Sequence, residues 1–138
     1  MSRIMKPVVS FICTHNSARS QMAEALLRHH FGSKYTAQSA GTEQTHVKPP
    51  ALLVLKEWGI DTTKLYSKTV EHPDFLPSDI VVTVCDDAQE NCPYVPGKLK
   101  TIHKFFPDPS HEGSNPEENL EAFRRVRNEI SDWIQSGF

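Results

Sequence analysis

A cysteine and an arginine with five residues between them are the strongest chemical signal in this sequence: Cys13 and Arg19. The residues before Cys13 are mostly β-branched or aromatic, as in a buried strand, and those after Arg19 are good helix formers. A loop between such elements can turn its backbone N–H groups toward one point, where the helix dipole and the guanidinium add positive charge. The pattern predicts a cradle for an oxyanion such as phosphate or arsenate. The intervening residues are Thr14, His15, Asn16, Ser17 and Ala18.

The same positive field favours the thiolate form of Cys13, which is the nucleophilic form of a cysteine. A cradle of this kind would therefore bind an anion and also attack it. The spacing alone leaves a second interpretation open, in which Cys13 is an ordinary buried thiol and Arg19 is a surface charge.

The elements that must position this loop alternate along the chain between strand and helix patterns. Strands are predicted at 8–13, 35–39, 79–85 and 98–105, and helices at 19–31, 49–58, 67–71 and 116–134. The last helix has Asn115 as N-cap, Pro116 in its first turn and Glu118 completing a capping box. Trp58 and Trp133 fall on predicted helix faces and are assigned to the core. The alternation predicts an α/β fold, a three-layer sandwich around a four-stranded parallel sheet, in one domain spanning residues 1–138.

Composition narrows the class of partner. A formal charge of −2 and 38 % hydrophobic residues are ordinary globular values, which argues against a nucleic-acid or membrane surface built on bulk charge. The chain opens without a signal-peptide pattern and has no apolar run near the roughly 20 residues that span a bilayer. Three cysteines, an odd number, suit a reducing compartment better than a secreted disulfide framework. The sequence predicts a cytoplasmic monomer that acts on a small molecule.

Two further cysteines are candidates for redox chemistry. Cys85 ends the most apolar predicted strand, and Cys92 follows after six residues. Carboxyl ends of parallel strands share one edge of a sheet, so Cys85 lies near Cys13 if the first and third predicted strands are neighbours. A helical segment would hold Cys85 and Cys92 about 10.5 Å apart, so a disulfide between them requires that segment to unwind. The spacing suits zinc poorly, and two unreactive thiols remain the alternative.

An aspartate late in the chain is a candidate general acid. Asp108 lies between Pro107 and Pro109, in a rigid turn that could deliver a carboxyl group to the cradle and protonate a leaving oxygen. Asp–Pro is also a common turn dipeptide, so a purely structural role is the alternative.

Four stretches of the chain resemble the arsenate reductases of the low-molecular-weight phosphotyrosine phosphatase fold: residues 13–24, 81–85, 91–93 and 123–130. The resemblance implies a relay in which Cys13 attacks arsenate, Cys85 attacks Cys13, and Cys92 attacks Cys85. Thioredoxin then reduces the resulting disulfide. The resemblance implies no bound cofactor and no metal.

The resemblance also implies roles around the relay. Arg19 and the loop amides hold arsenate, Asp108 protonates the departing oxygen, Asn16 braces the loop, and Ser20 and Thr14 donate hydrogen bonds to the reacting sulfurs.

Two departures from the family pattern carry expectations of their own. Some relatives hold a potassium ion beside the cradle with an aspartate and residues that match Asn16, Glu24 and Ser39, whereas this chain has Lys68 in place of the aspartate. The lysine ammonium is expected to replace the ion. His15 stands where a small residue is frequent, and its side chain is expected to point outward.

Two other functions remain as alternatives. A tyrosine phosphatase would use Cys13, Arg19 and Asp108 without the other two thiols, but such phosphatases usually place an aromatic residue after Asp–Pro, where this chain has Ser110 and His111. A non-enzymic oxyanion sensor is a different class, and nothing in the sequence resembles a partner-recognition module.

Overall fold

The computed structural model describes residues 6–85 and 95–138, so Cys92 lies outside the described residues. The strands are β1 (Val8–Ile12), β2 (Thr36–Ala40), β3 (Ile80–Thr83) and β4 (Lys100–His103). The helices are α1 (Arg19–Phe31), α2 (Pro49–Lys56) and α3 (Pro116–Ser136), and a 3₁₀ turn covers Pro109–His111.

The four strands form one parallel sheet in the order β2-β1-β3-β4. This confirms the predicted parallel α/β sheet and meets the condition under which Cys85 was expected near Cys13, because the first and third strands are neighbours. Phe11 lies between Ser39 of β2 and Val82 of β3 in the register. The chain therefore leaves β1 and β3 at neighbouring points of the same sheet edge.

The two faces of the sheet are covered differently. The three helices contact one another, and α1 also contacts β1 and β2; the apolar cluster of this face includes Phe11, Met22 and Phe123. On the opposite face Ile12 and Val81 belong to a second cluster, against which loop residues pack. Burial on both faces explains why the β1 and β3 sequences are almost continuously apolar.

The start of α3 follows the predicted capping pattern with one difference. The Asn115 side chain accepts a hydrogen bond from the Glu118 N–H at 2.9 Å, and Pro116 occupies the first helical position. The Glu118 carboxylate accepts from the N–H of Ser114 at 2.7 Å, one residue before the N-cap. The helix is thus capped from both directions, with Ser114 in the place that a capping box gives to the N-cap residue.

The prediction of a short helix at 67–71 is wrong, because the structure has no helix there. The Lys68 N–H donates to the Asn16 side chain at 2.9 Å, and the Lys68 carbonyl accepts from Gly41 N–H at 3.0 Å. Thr69 forms a parallel bridge with Gly41. The backbone groups that a helical turn would use are therefore committed to residues far away in the sequence.

The core assignment of Trp58 is also wrong. Helix α2 ends at Lys56, and Trp58 is 41 % exposed, with the Arg127 guanidinium 3.9 Å from its ring centroid. Trp133 is partly buried against the core and packs edge-on against Phe106, as predicted for a core residue. Within residues 6–85 and 95–138, no helix is both long enough and apolar enough to span a bilayer.

Candidate active site

The predicted cradle is the loop that joins β1 to α1, and the helix begins at Arg19 as expected. Backbone donors from outside the loop hold two of its carbonyl oxygens: Lys48 N–H donates to Ser17 at 2.9 Å, and Thr42 N–H donates to Thr14 at 2.9 Å. These bonds direct the negative ends of two peptide groups toward the surrounding chain. In a trans peptide the N–H points away from the carbonyl, so the N–H groups of His15 and Ala18 face away from that chain, an arrangement suited to an anion.

Asn16 organises the loop from within. Its φ of 50° lies in the left-handed region, which asparagine tolerates better than most residues. The Lys68 backbone N–H is an obligate donor, so the atom it meets at 2.9 Å is the amide oxygen of Asn16. The amide nitrogen consequently faces Ser20 Oγ at 2.9 Å and Ser39 Oγ at 3.0 Å, and donates to both. The side chain thus connects the loop to α1, β2 and the segment around Lys68.

The nucleophile candidate, Cys13, is 3 % exposed, and its sulfur lies 2.9 Å from Ser20 Oγ. Ser20 already accepts a hydrogen bond from Asn16, so its own proton is available to donate to Cys13. A donated hydrogen bond stabilises a thiolate more than a thiol. This geometry permits the hydrogen bond that the sequence analysis expects from Ser20 to Cys13.

A buried polar network lies behind the loop. Ser39 accepts from Asn16 and donates to the Glu24 carboxylate at 2.7 Å, and Glu24 also pairs with Arg28 at 2.7 Å. Lys68 is 4 % exposed, and its ammonium lies 4.2 Å from the Tyr66 ring centroid. Burial lowers the pKa of Lys68 below its ordinary value, although the Glu24 carboxylate opposes that shift. A buried lysine therefore lies in the field of the carboxylate that the family pattern associates with potassium.

Gly41 allows β2 to approach the cradle closely. A Cβ atom at this position would lie 2.4 Å from the Thr14 carbonyl oxygen and 2.5 Å from the Cys13 carbonyl oxygen. Contacts this short do not occur at real Cβ atoms, so only glycine fits without a shift of the backbone.

Arg19 is 5 % exposed and connects three parts of the site. Its Nη1 donates to the Phe106 carbonyl at 3.1 Å and to the Val84 carbonyl at 3.4 Å. Its Nη2 lies 3.7 Å from an Asp108 carboxylate oxygen. The guanidinium is held at the start of α1, next to the end of β3 and to the loop that carries Asp108.

Asp108 lies where the sequence placed it, in a turn beside the cradle. Its carboxylate accepts a hydrogen bond from the Ser110 N–H at 2.9 Å. Burial raises the pKa of Asp108, but the Ser110 hydrogen bonds and the charges of Arg19 and His111 outweigh it and hold the pKa below the ordinary value of an aspartate. Asp108 is therefore ionised at neutral pH before an anion binds.

A cavity of about 270 Å³ opens over the loop. The residues that line it are His15, Ser17, Thr45, His46, Lys48, Asp108, Ser110 and His111. The His15 side chain is 56 % exposed and pairs with Glu43 at 3.2 Å, so it points outward as expected. Sequence reasoning missed Thr45, His46 and Lys48. A lysine in a predicted loop is no signal by itself, and only the path of the chain after β2 brings these residues over the cradle.

The two described cysteines lie at the ends of neighbouring strands. Cys13 is a free thiol, whereas Cys85 is in a disulfide. The Val84 N–H donates to the Ile12 carbonyl at 3.0 Å, and Cys85 Sγ lies 3.7 Å from that same carbonyl oxygen. Cys85 thus lies against the last residue before Cys13, as the strand order predicts. Among the described residues, no cluster of three His, Cys, Asp or Glu side chains is placed to hold a metal ion.

Comparison with known proteins identifies the class of this fold and site. The profile of the low molecular weight phosphotyrosine protein phosphatase family matches residues 8–136. The chain therefore belongs to this family.

Several similar proteins within that class are named arsenate reductases. The arsenate reductase of Halalkalibacterium halodurans is 39 % identical over 131 residues, which cover 95 % of this chain and 94 % of that protein. An arsenate reductase structure from Archaeoglobus fulgidus has a TM-score of 0.72 at 30 % identity, covering 94 % of this chain and 96 % of that chain. A thioredoxin-dependent arsenate reductase of Corynebacterium glutamicum has a TM-score of 0.65 at 31 % identity, covering 95 % of this chain and 61 % of that longer chain.

Proposed function

We propose that this protein reduces arsenate to arsenite through a relay of three cysteines, with thioredoxin as the reductant. One observation carries the proposal: the anion-binding loop holds a free Cys13 thiol, and Cys85, at the end of the neighbouring strand, is in a disulfide with another residue. A phosphatase needs the first of these features but not the second. The relay assigns Cys92 as the third thiol and as the disulfide partner of Cys85.

The first step forms a bond between Cys13 sulfur and arsenic. The thiolate attacks the arsenic of HAsO₄²⁻, the hydroxyl group of the arsenate takes up one proton and leaves as water, and a thiol–arsenate adduct, RS–AsO₃²⁻, remains. Arg19 and the loop amides balance the charge on the remaining oxygens. Asp108 delivers that proton, and bringing the arsenate dianion beside the carboxylate favours the protonated form of Asp108.

The second step moves two electrons from sulfur to arsenic. The Cys85 thiolate attacks Cys13 sulfur, the sulfur–arsenic bond breaks, and arsenic(V) leaves as arsenic(III), which takes up protons to become arsenous acid. A Cys13–Cys85 disulfide remains. The Cys92 thiolate then attacks Cys85, which releases the Cys13 thiolate and transfers the disulfide to Cys85 and Cys92. Two thiols of thioredoxin reduce that disulfide and are themselves oxidised.

The decisive experiment couples the protein to thioredoxin, thioredoxin reductase and NADPH, and follows arsenate-dependent oxidation of NADPH. We expect turnover in the wild type and none in Cys13→Ser, Cys85→Ser or Cys92→Ser. Mass spectrometry of Cys92→Ser after one turnover should find a Cys13–Cys85 disulfide. Sustained turnover of Cys85→Ser or Cys92→Ser with thioredoxin alone would contradict the relay, and hydrolysis of aryl phosphates faster than arsenate reduction would favour the phosphatase.

We further propose that residues 1–138 act as a single domain and as a monomer in a reducing cytoplasm, where thioredoxin is kept reduced. The similar arsenate reductase of Corynebacterium glutamicum is thioredoxin-dependent, which supports this choice of reductant. Replacing thioredoxin by glutaredoxin with glutathione in the coupled assay tests the choice of reductant, and equal turnover with both would overturn it.

A further inference from the structure

We propose that Lys48 captures doubly charged oxyanions at the mouth of the cradle, and thereby sets the preference of the site for anionic over neutral reagents. The inference rests on the proposed function for the identity of the substrate. The capture step itself concerns only charge at the entrance, so it is tested separately below.

The first observation is the composition of the cavity above the loop. Lys48 is the one permanent cation among its described lining residues, and Asp108 is the one permanent anion. Asp108 faces Arg19 at 3.7 Å, so its charge is already partly balanced within the site. Lys48 therefore belongs to the wall of the cavity, whereas Arg19 is 5 % exposed and does not line it.

The second observation is the way Lys48 is attached to the cradle. Its backbone N–H donates to the Ser17 carbonyl at 2.9 Å, and Ser17 is itself a member of the loop. Lys48 is also the N-cap residue of α2, where its carbonyl accepts from Ala51 N–H at 3.0 Å. These main-chain bonds fix where the lysine stem begins relative to the loop. They do not involve the side chain, so a substitution at this position leaves them in place.

The histidines at the entrance do not supply a permanent, unbalanced positive charge as Lys48 does. His15 pairs with Glu43 at 3.2 Å, so a proton on that ring would be balanced by a neighbouring carboxylate. His46 and His111 are exposed and carry charge only when protonated. A permanently charged ammonium attracts a dianion throughout the neutral range and raises its local concentration in the cavity.

The test compares the alkylation of Cys13 by iodoacetate, which is an anion, with its alkylation by iodoacetamide, which is neutral. In Lys48→Gln we expect the iodoacetate rate to fall about three- to tenfold at low salt, with the iodoacetamide rate unchanged. Lys48→Arg should restore the iodoacetate rate. The difference between wild type and Lys48→Gln should shrink at about 0.5 M salt, since screening shortens the reach of the charge. The matched control is Lys56→Gln, an exposed lysine on the same helix outside the cavity lining.

Steady-state kinetics give the second readout. For Lys48→Gln we expect KM for arsenate to rise about three- to tenfold with kcat within twofold, because capture precedes chemistry. Equal iodoacetate rates in wild type and Lys48→Gln would overturn the proposal, and so would an equal loss of rate with both reagents, which would indicate a disturbed loop. A protein that proves inactive toward arsenate but keeps the charge-dependent alkylation would overturn the proposed function and leave the capture role standing.

Discussion

The side-chain amide oxygen of Asn16 accepts a hydrogen bond from the backbone N–H of Lys68 at 2.9 Å, across 52 positions of the chain. The loop that carries the nucleophile candidate is therefore fixed by a segment that enters the structure much later. The same side chain donates to Ser20 and Ser39 through its nitrogen, so both ends of the amide are used. The amide oxygen also accepts from Gln21 Nε2 at 2.9 Å, so replacing Asn16 removes four hydrogen bonds at once.

Asn16→Ala should lose both stability and activity. The alanine keeps the left-handed backbone without a compensating side chain and leaves the buried Lys68 N–H unpaired, so we expect the free energy of unfolding to fall by about 2–4 kcal/mol. Urea denaturation measures this change. Asn16→Gly is the matched variant: it relieves the backbone and should lose less stability, while arsenate turnover falls in both. A wild-type unfolding midpoint in Asn16→Ala would contradict the bracing role.

Ser20→Ala should slow the reaction of Cys13 without unfolding the loop. The serine hydroxyl lies 2.9 Å from the sulfur and has its proton available to donate. Loss of one hydrogen bond to a charged group corresponds to roughly a tenfold fall in the alkylation rate by iodoacetamide at neutral pH. The exposed Ser33→Ala is the control and should react at the wild-type rate. Identical rates for Ser20→Ala and the wild type would show that Ser20 does not donate to the thiolate.

Gly41→Ala should distort the cradle, because its Cβ would lie 2.4 Å from the Thr14 carbonyl oxygen. We expect a loss of about 2–4 kcal/mol in unfolding free energy and a large loss of arsenate turnover. Gly59→Ala is the comparison: Gly59 has a φ of +70° but nothing within 4 Å of the added Cβ. Gly59→Ala should lower the free energy of unfolding by only about 1 kcal/mol and leave arsenate turnover unchanged. Equal effects of the two variants would argue against the close approach of β2 to the loop.

Asp108→Asn should lower kcat about 10²-fold, since a positioned acid contributes roughly that much to proton transfer. The variant also tests the lowered pKa of Asp108. A carboxyl group whose pKa is lower in the folded state stabilises the fold above its unfolded pKa, and that contribution is lost as the pH falls through the folded pKa. The unfolding temperatures of wild type and variant should therefore differ at pH 7, begin to converge as the pH falls below about 3.8, and agree below the folded pKa of Asp108. A difference that persists in acid would assign the effect to packing instead.

Potassium should have no specific effect on the wild type, because the Lys68 ammonium is buried beside Glu24. Thermal unfolding in KCl and in NaCl at equal ionic strength should agree within about 1 °C. Lys68→Asp introduces the acid that some relatives carry, and this variant should gain stability from potassium over sodium. A potassium-specific rise in the wild type would show that the lysine does not replace the ion.

Much of this architecture could be predicted from sequence because its signals are local. The apolar runs of β1 and β3, the Asn115 cap of α3 and the Cys13–Arg19 spacing each depend on neighbouring residues. The incorrect or missing predictions concern residues whose structure depends on tertiary contacts. Residues 67–71 have their backbone groups engaged by Asn16 and Gly41, and Lys48 joins the cavity only through the fold. Trp58 lies beyond the end of α2, so it is not on a helix face that packs against the core.

Arg19 directs Nη1 at two main-chain oxygens, those of Val84 and Phe106. Every amino acid brings the same carbonyl group, so the acceptors survive any replacement at positions 84 and 106 that preserves the path of the chain. The orientation of the guanidinium therefore does not depend on which side chains occupy positions 84 and 106. Substitutions at these two buried positions that keep the path of the backbone therefore leave the arginine in the same orientation.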